Sequence, residues 1–211
     1  MIEPYYSDDF VTIYHGDCKE ILPGLSFDVV ITDPPYGIEV VKNGKVGIKG
    51  LAEPRKYREV VGDTEKLDPT WLASFGASQV IFGLEHFVKI PHSGQLLVWD
   101  KEVSNGLFAE VEIAWHSKNA PSKIIKHQQQ GFVANLGDIG RHHPTQKPLA
   151  VMLWLVKNCS NLEDVIVDPY MGTGTTLRAA KDLGRKAIGI EIDEQYCEIA
   201  VKRLAQEVLF A

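Results

Sequence analysis

The sequence is poor in the residues that hold small secreted or metal-dependent proteins together. Its three cysteines, Cys18, Cys159 and Cys197, are odd in number and show no CxxC spacing. That excludes a disulfide framework or a zinc ribbon and points to reduced core thiols of a cytoplasmic protein. The seven histidines include no His-x3-His pair, so metal catalysis is disfavoured and no metal ligands are assigned. No apolar run approaches the roughly 18 residues of a membrane span, and no basic-then-apolar secretion signal opens the chain. A membrane partner is therefore not expected. There is neither an internal repeat nor a linker, so residues 1–211 read as a single domain able to bury one sizeable core.

Positive charge is scarce overall, with a net charge of −6, which argues at first against a nucleic-acid partner. Its distribution argues the other way. Between Lys42 and Arg58 stand Lys42, Lys45, Lys49, Arg55, Lys56 and Arg58 against Glu53 alone, and between Lys118 and Lys147 stand Lys118, Lys123, Lys126, Arg141 and Lys147 against Asp138 alone. Both segments are Gly- or Gln-rich and lack periodicity, so they read as loops, 37–64 and 116–146. Loops of that length in a compact domain are functional or disordered.

The periodic segments alternate strand and helix. Val11–Tyr14, Val29–Thr32, Gln79–Gly83, Gln95–Trp99, Asp164–Val167 and Lys186–Glu191 read as strands. Helices are expected over 19–22, 67–78, 147–157 and 175–183, with a last one capped by Asp193 whose Tyr196, Ile199, Ala200, Leu204 and Val208 share a face. Phe108–Trp115 alternates apolar with polar residues and reads as a half-exposed antiparallel strand. Together these segments give an α/β protein with a doubly wound, mostly parallel sheet.

Two stretches carry chemistry. Asp33-Pro34-Pro35-Tyr36 follows the buried strand Val29–Thr32. Two prolines can neither extend a ladder nor start a helical turn freely, so an acid, a rigid elbow and an aromatic ring are held at the carboxyl edge of the sheet, where open α/β folds place ligands. The second stretch is Asp168-Pro169-Tyr170-Met171-Gly172-Thr173-Gly174 before a helix, with Glu191 ending the next strand. Its glycines allow close backbone approach, and the helix start near Thr175 offers free N–H groups. Glu191 stands about 20 residues on, where a carboxylate takes ribose hydroxyls. Leu177 occupies the usual third-glycine position and no Lys-Ser/Thr follows Gly174, which disfavours a dinucleotide and an NTP in turn. A nucleoside cofactor remains. Trp99-Asp100-Lys101 ends a strand on the same edge, as pocket wall or as packing. Glu85-His86 reads as a local helix start rather than an acid–base pair.

With His143-Pro144-Thr145-Gln146-Lys147-Pro148 between them, the two stretches occur in an order that resembles the amino-group DNA methyltransferases, those that methylate N6 of adenine or N4 of cytosine, in their permuted β group. The resemblance implies a seven-stranded Rossmann-like methyltransferase sheet with one antiparallel strand, and S-adenosyl-L-methionine as methyl donor. It implies that Asp33 and the carbonyl of Pro34 accept hydrogen bonds from the target amino group, with Pro35 completing the elbow and Tyr36 stacking on the base. Gly172 and Gly174, with Asp168, Pro169, Met171, Thr173 and Thr175 around them, line the methionine part of the donor. Glu191 and Ile192 hold its ribose, Asp17 and Cys18 lie near its adenine, Asp33 borders it, and Thr145, Gln146 and Lys147 close over its methionine end.

The resemblance also implies DNA as partner, held by basic loops 42–58 and 118–141, with a homodimer allowed, in a cytoplasmic enzyme of bacterial, archaeal or phage origin, restriction–modification included. Loop 37–64 is then a mobile loop near the target base. Members of the family as a rule carry a large insert before the His-Pro-Thr-Gln-Lys-Pro segment, whereas here about 25 residues, 118–142, stand in its place. Asp at the head of the tetrapeptide leans toward adenine; N4-cytosine, an RNA substrate and a catalytically idle DNA-binding module are the alternatives.

Overall fold

The computed structural model describes residues 2–41, 45–46, 55–56, 60–64, 68, 70–75, 77–87, 89, 93–103, 109–128 and 145–205. In chain order these form β1 (Tyr6–Ser7), β2 (Val11–His15), α1 (Cys18–Ile21), β3 (Val29–Thr32), β4 (Lys45–Val46), β5 (Arg55–Lys56), α2 (Thr70–Ala73), β6 (Ser78–Phe82), β7 (Gln95–Asp100), β8 (Val111–His116), β9 (Lys123–Lys126), α3 (Leu149–Cys159), β10 (Val165–Asp168), α4 (Thr175–Asp182), β11 (Lys186–Glu191) and α5 (Glu194–Leu204).

Nine strands make one sheet in the order β1-β2-β11-β10-β3-β6-β8-β7-β9, and β4 pairs with β5 apart from it. From β2 to β6 every neighbour is parallel. Strand β8, between β6 and β7, runs antiparallel to both, in keeping with its alternating pattern. The parallel strands are buried on both faces, which is why they read as continuous apolar runs. Val29 and Ile31 pack with Val151, Leu155 and Leu177 under α3 and α4, while Val30, between them, packs with Cys18, Leu22 and Leu72 under α1 and α2. The chain leaves β10 toward β11 on one side and leaves β3 toward β6 on the other. The crevice between the carboxyl ends of β10 and β3 is therefore the topological switch point, where such sheets bind ligands.

Several elements differ from the sequence reading. Among the described residues the sheet has nine strands rather than seven, and two antiparallel strands, β1 and β8, rather than one, because β1 folds back on β2 through a turn in which Asp8 Oδ1 accepts the N–H groups of Phe10 and Val11, and because β9 pairs in parallel with β7. Strand β9 lies inside the expected loop 116–146, and the β4–β5 pair lies inside the expected loop 37–64. Short strands with exposed or charged residues carry no alternation to betray them. The helix expected over 67–78 is only the short α2, because Ser78 is already drawn into the ladder opposite Val29. Trp99 is 2 % exposed and its Nε1–H donates to the His127 carbonyl at 2.8 Å, so it packs rather than lining a pocket. Val208, expected on the face of α5, lies outside the described residues.

Asp63 organises the backbone that follows the tetrapeptide. It is 4 % exposed; its Oδ1 accepts from the N–H of Gly37 at 2.8 Å and of Ile38 at 3.2 Å, and its Oδ2 accepts from Val40 at 2.7 Å. Each is a hydrogen bond to a charged acceptor. Asp63→Ala is expected to lower stability by about 1–3 kcal/mol, since three partly exposed backbone donors lose a buried charged partner together. Urea unfolding of the two proteins measures this. A loss below about 1 kcal/mol would mean that water serves these donors equally well.

Candidate active site

At the end of β3 the chain passes from Thr32 into the tetrapeptide. Thr32 Oγ1 donates to Asp168 Oδ1 at 2.6 Å, and Thr176 Oγ1 donates to Asp168 Oδ2 at 2.6 Å. Asp168 thus joins the loops after β3 and β10 across the switch point. Burial pushes its carboxyl up to about 6, against the pull of those hydroxyls and of the Tyr170 N–H.

Asp33 is engaged at both oxygens. Tyr36 donates its phenol to Oδ1 at 2.5 Å, and Lys147 donates to Oδ2 at 2.5 Å. Lys147 is 7 % exposed and its Nζ also lies 3.0 Å from Glu112 Oε2, while Glu112 Oε1 meets Lys101 Nζ at 2.7 Å. Burial raises the Asp33 carboxyl, with the Lys147 ammonium opposing. For Lys147, burial works against the charge but the two flanking carboxylates outweigh it, so its pKa rises. In Glu112, burial is likewise outweighed by Lys147 and Lys101, which hold the carboxyl at about 2. Burial and the neighbouring Asp33 charge keep the Tyr36 phenol protonated well above its ordinary range. The Tyr36 ring stacks on His86 with centroids 4.8 Å apart and planes 21° apart. The ring also lies against Gly83, whose φ of +84° and lack of a side chain permit the approach; a Cβ there would overlap the ring.

Across the crevice, the loop after β10 is tied to the end of β11. Gly172 N–H donates to Glu191 Oε2 at 2.9 Å, and Asp193 N–H donates to Oε1 at 2.8 Å. Burial pushes the Glu191 carboxyl up to about 7 in spite of those two donors. Gly174 takes φ +75° at the start of α4, where a Cβ would press on Ala200 of α5. Arg203, also on α5, donates from Nη1 to the Thr173 carbonyl at 2.7 Å and to its hydroxyl at 2.8 Å, clamping the loop from behind. At the end of β2, Gly16 N–H donates to the Glu191 carbonyl, and Asp17 caps α1 by accepting from the Lys19 N–H. The segment 145–148 spans both halves: Lys147 reaches Asp33, and Gln146 Oε1 accepts from the Thr173 hydroxyl at 3.2 Å.

These loops enclose a cavity of about 560 Å³, within the usual size of a small-ligand site. Asp33, Pro34, Pro35 and Tyr36 form one end of its wall, and Asp17, Cys18, Glu191 and Ile192 the other. Asp168, Pro169, Met171, Gly172, Thr173 and Thr175 also line it, as do Thr145, Gln146 and Lys147. Of the residues assigned to the donor or the target base, Gly174 alone is absent from the wall.

Four residues escaped the sequence reading. Glu112 falls in the alternating strand and Asp63 in the Gly-rich loop, with no role assigned to either or to Arg203; His86 reads as a helix start. The only available signal was an acid flanked by Val111, Ile113 and Trp115. Of the basic segments, Lys118, Lys123 and Lys126 are exposed, whereas Lys42, Lys49, Arg58, Arg141, His143 and Pro144 lie outside the described residues. Among the described residues no group of His, Cys, Asp or Glu fits a metal ion, and no helix is long and apolar enough to cross a membrane.

The profile of the N6/N4 DNA methylase family matches residues 55–202. The chain belongs to this DNA methylase family. Similar to the methylase are the type II methyltransferase M2.DpnII of Streptococcus pneumoniae, 45 % identical over 98 % of this chain and 94 % of that protein, and the DNA adenine methyltransferase YhdJ of Escherichia coli K12, 42 % identical over 94 % and 84 %. The match to M2.DpnII runs over 259 residues, 48 more than the 211 of the methylase, so the relative carries stretches that the methylase lacks. Among solved structures, the M1.HpyAVI–SAM complex superposes with a TM-score of 0.60 at 25 % identity, covering 93 % of this chain and all of that one.

Proposed function

We propose that the protein transfers a methyl group from S-adenosyl-L-methionine to the exocyclic amino group of a DNA base, adenine N6. The observation that carries this reading is the pairing, in one cavity, of the Asp33-Pro34 acceptors with Glu191 and the Gly172 loop. The residues fit the donor. Glu191 is a half-buried acceptor already oriented by two backbone N–H groups, suited to ribose hydroxyls, and the loop 171–174 leaves room for backbone approach. Asp17 and Ile192 border the adenine end and Gln146 the methionine end. When bound, the donor supplies a methyl group on a positively charged sulfur, already activated toward attack.

The protein's task is then orientation and electrostatics. An exocyclic amino nitrogen is a weak nucleophile because its lone pair is delocalised into the ring. Asp33 and the Pro34 carbonyl, accepting its two hydrogens, draw the nitrogen toward tetrahedral geometry and free that pair; the Asp33 carboxylate is also the nearest acceptor for the proton released. No covalent nucleophile is required, and burial holds the Cys18 thiol up at about 11, unsuited to the role. The target base leaves the duplex at a cost of a few kcal/mol, of which stacking on Tyr36 returns about 1–3 kcal/mol.

The adenine assignment rests on Asp33 at the head of the tetrapeptide, on the larger stacking surface of adenine, and on the likeness to YhdJ. Methylated DNA digested to nucleosides is expected to contain N6-methyladenine by mass spectrometry; N4-methylcytosine would overturn the assignment. The free cysteines Cys18, Cys159 and Cys197 suit a reducing cytoplasm.

With a short segment at 118–142, DNA affinity rests on phosphate contacts from the two basic segments. Binding is therefore expected to fall steeply with salt and to vary little between sequences. Fluorescence anisotropy over a salt series tests this, and a shallow slope with strong preference for one site would contradict it.

A further inference from the structure

Both oxygens of Asp33 are occupied, by Tyr36 at 2.5 Å and by Lys147 at 2.5 Å. Each oxygen keeps a second lone pair, but an amino group placed there shares the carboxylate with two short hydrogen bonds, and it is held more strongly if one of these donors yields. Tyr36 forms its bond within the same tetrapeptide and is kept in place by the His86 stack. Lys147 comes from a different segment, and its Nζ lies between two carboxylates, Asp33 and Glu112. A buried ammonium cannot give up one carboxylate unless another takes its charge. Glu112 is placed to do so. Its Oε2 lies 3.0 Å from Lys147, and its other oxygen is fixed at 2.7 Å by Lys101, whose Nζ lies 5.2 Å from the Trp99 ring centroid. The four side chains carry two positive and two negative charges, so a shift of Lys147 from Asp33 toward Glu112 leaves the cluster neutral.

We propose that Glu112 is a positioning residue for methyl transfer, which draws the Lys147 ammonium off Asp33 and so frees that carboxylate for the target amino group. This rests on the functional reading given above. Glu112 does not line the cavity and acts only through Lys147. Without its charge, Lys147 belongs to Asp33 alone, and the amino group competes with an ammonium for its acceptor. Glu191 and the Gly172 loop, which hold the donor in the reading above, make no contact with Glu112 and are untouched.

The test compares the full chain with Glu112→Gln, which keeps the shape and loses the charge, and with Glu112→Asp, which keeps the charge one methylene farther back. Transfer from labelled S-adenosyl-L-methionine to DNA and calorimetric donor affinity are measured for each. The expected result is a kcat at least tenfold lower in the Gln variant, donor affinity within twofold of the unsubstituted protein, and an Asp variant at least threefold faster than the Gln variant. The inference is overturned if the Gln variant turns over like the unsubstituted protein, if its loss lies wholly in donor affinity, or if Asp is no faster than Gln. Should the Gln variant fail to fold, Glu112→Asp decides: transfer within tenfold of the unsubstituted protein supports the inference, and complete loss overturns it. An unsubstituted protein that transfers no methyl group overturns the functional reading itself, which keeps the two failures apart.

Discussion

Asp33→Ala is expected to slow methyl transfer by at least about a hundredfold, the size of effect seen when one acceptor or donor aimed at a reacting centre is removed, with donor affinity unchanged within error. The carboxylate follows β3 directly and lines the same cavity as Glu191 and the Gly172 loop. Its removal leaves Lys147 paired with Glu112 at 3.0 Å, so the local charge remains compensated and the fold is expected to hold. Stopped-time transfer assays and calorimetry on the same preparation separate the two effects. Equal losses of transfer and donor affinity would show that Asp33 belongs to the donor site instead.

Glu191→Gln is expected to act in opposite directions on affinity and stability. Burial raises the Glu191 carboxyl to about 7 from an ordinary 4.5. Between those values the folded chain keeps a proton that the unfolded chain has released, so this group's contribution to stability falls as pH rises through the window and is lowest above about pH 7. Gln carries no charge to bury, and at pH 8 the variant is expected to be more stable by up to about 3 kcal/mol. Ribose hydroxyls prefer the ionised acceptor, so donor affinity of the unsubstituted protein is expected to fall below about pH 7. In the variant it is weaker at pH 8 by roughly 1.5–3 kcal/mol and nearly independent of pH. Thermal unfolding and calorimetry across the window measure both. A variant that binds the donor as tightly as the unsubstituted protein at pH 8 would remove Glu191 from the ribose site.

How far the sequence spoke depended on the kind of interaction involved. The β10–α4–β11 unit was legible almost to the residue, because buried parallel strands are unbroken apolar runs and Asp193 and Gly184 punctuate the helices. Most of the residues that line the cavity could be singled out for a related reason: prolines, glycines and a spaced acid carry their geometry with them. What failed was anything set by distant partners. Helix formation over 67–78 had local support, yet pairing of Ser78 with Val29 cut it short. Glu112 is no different in sequence from any polar residue on a half-exposed strand, and only the pairing of β8 with β7 and the arrival of Lys147 from beyond residue 144 give it a role. Asp63 and Arg203 likewise act on backbone 23 or more residues away in sequence.

The central claim, that this cavity methylates DNA, is tested most directly by incubating the purified chain with S-adenosyl-L-methionine labelled in the methyl group, together with unmethylated genomic DNA and total RNA in one vessel, and then counting label in each after nuclease separation. The account predicts label in DNA, lost on Asp33→Ala. Label confined to RNA, or label in neither while the donor is bound, would contradict it.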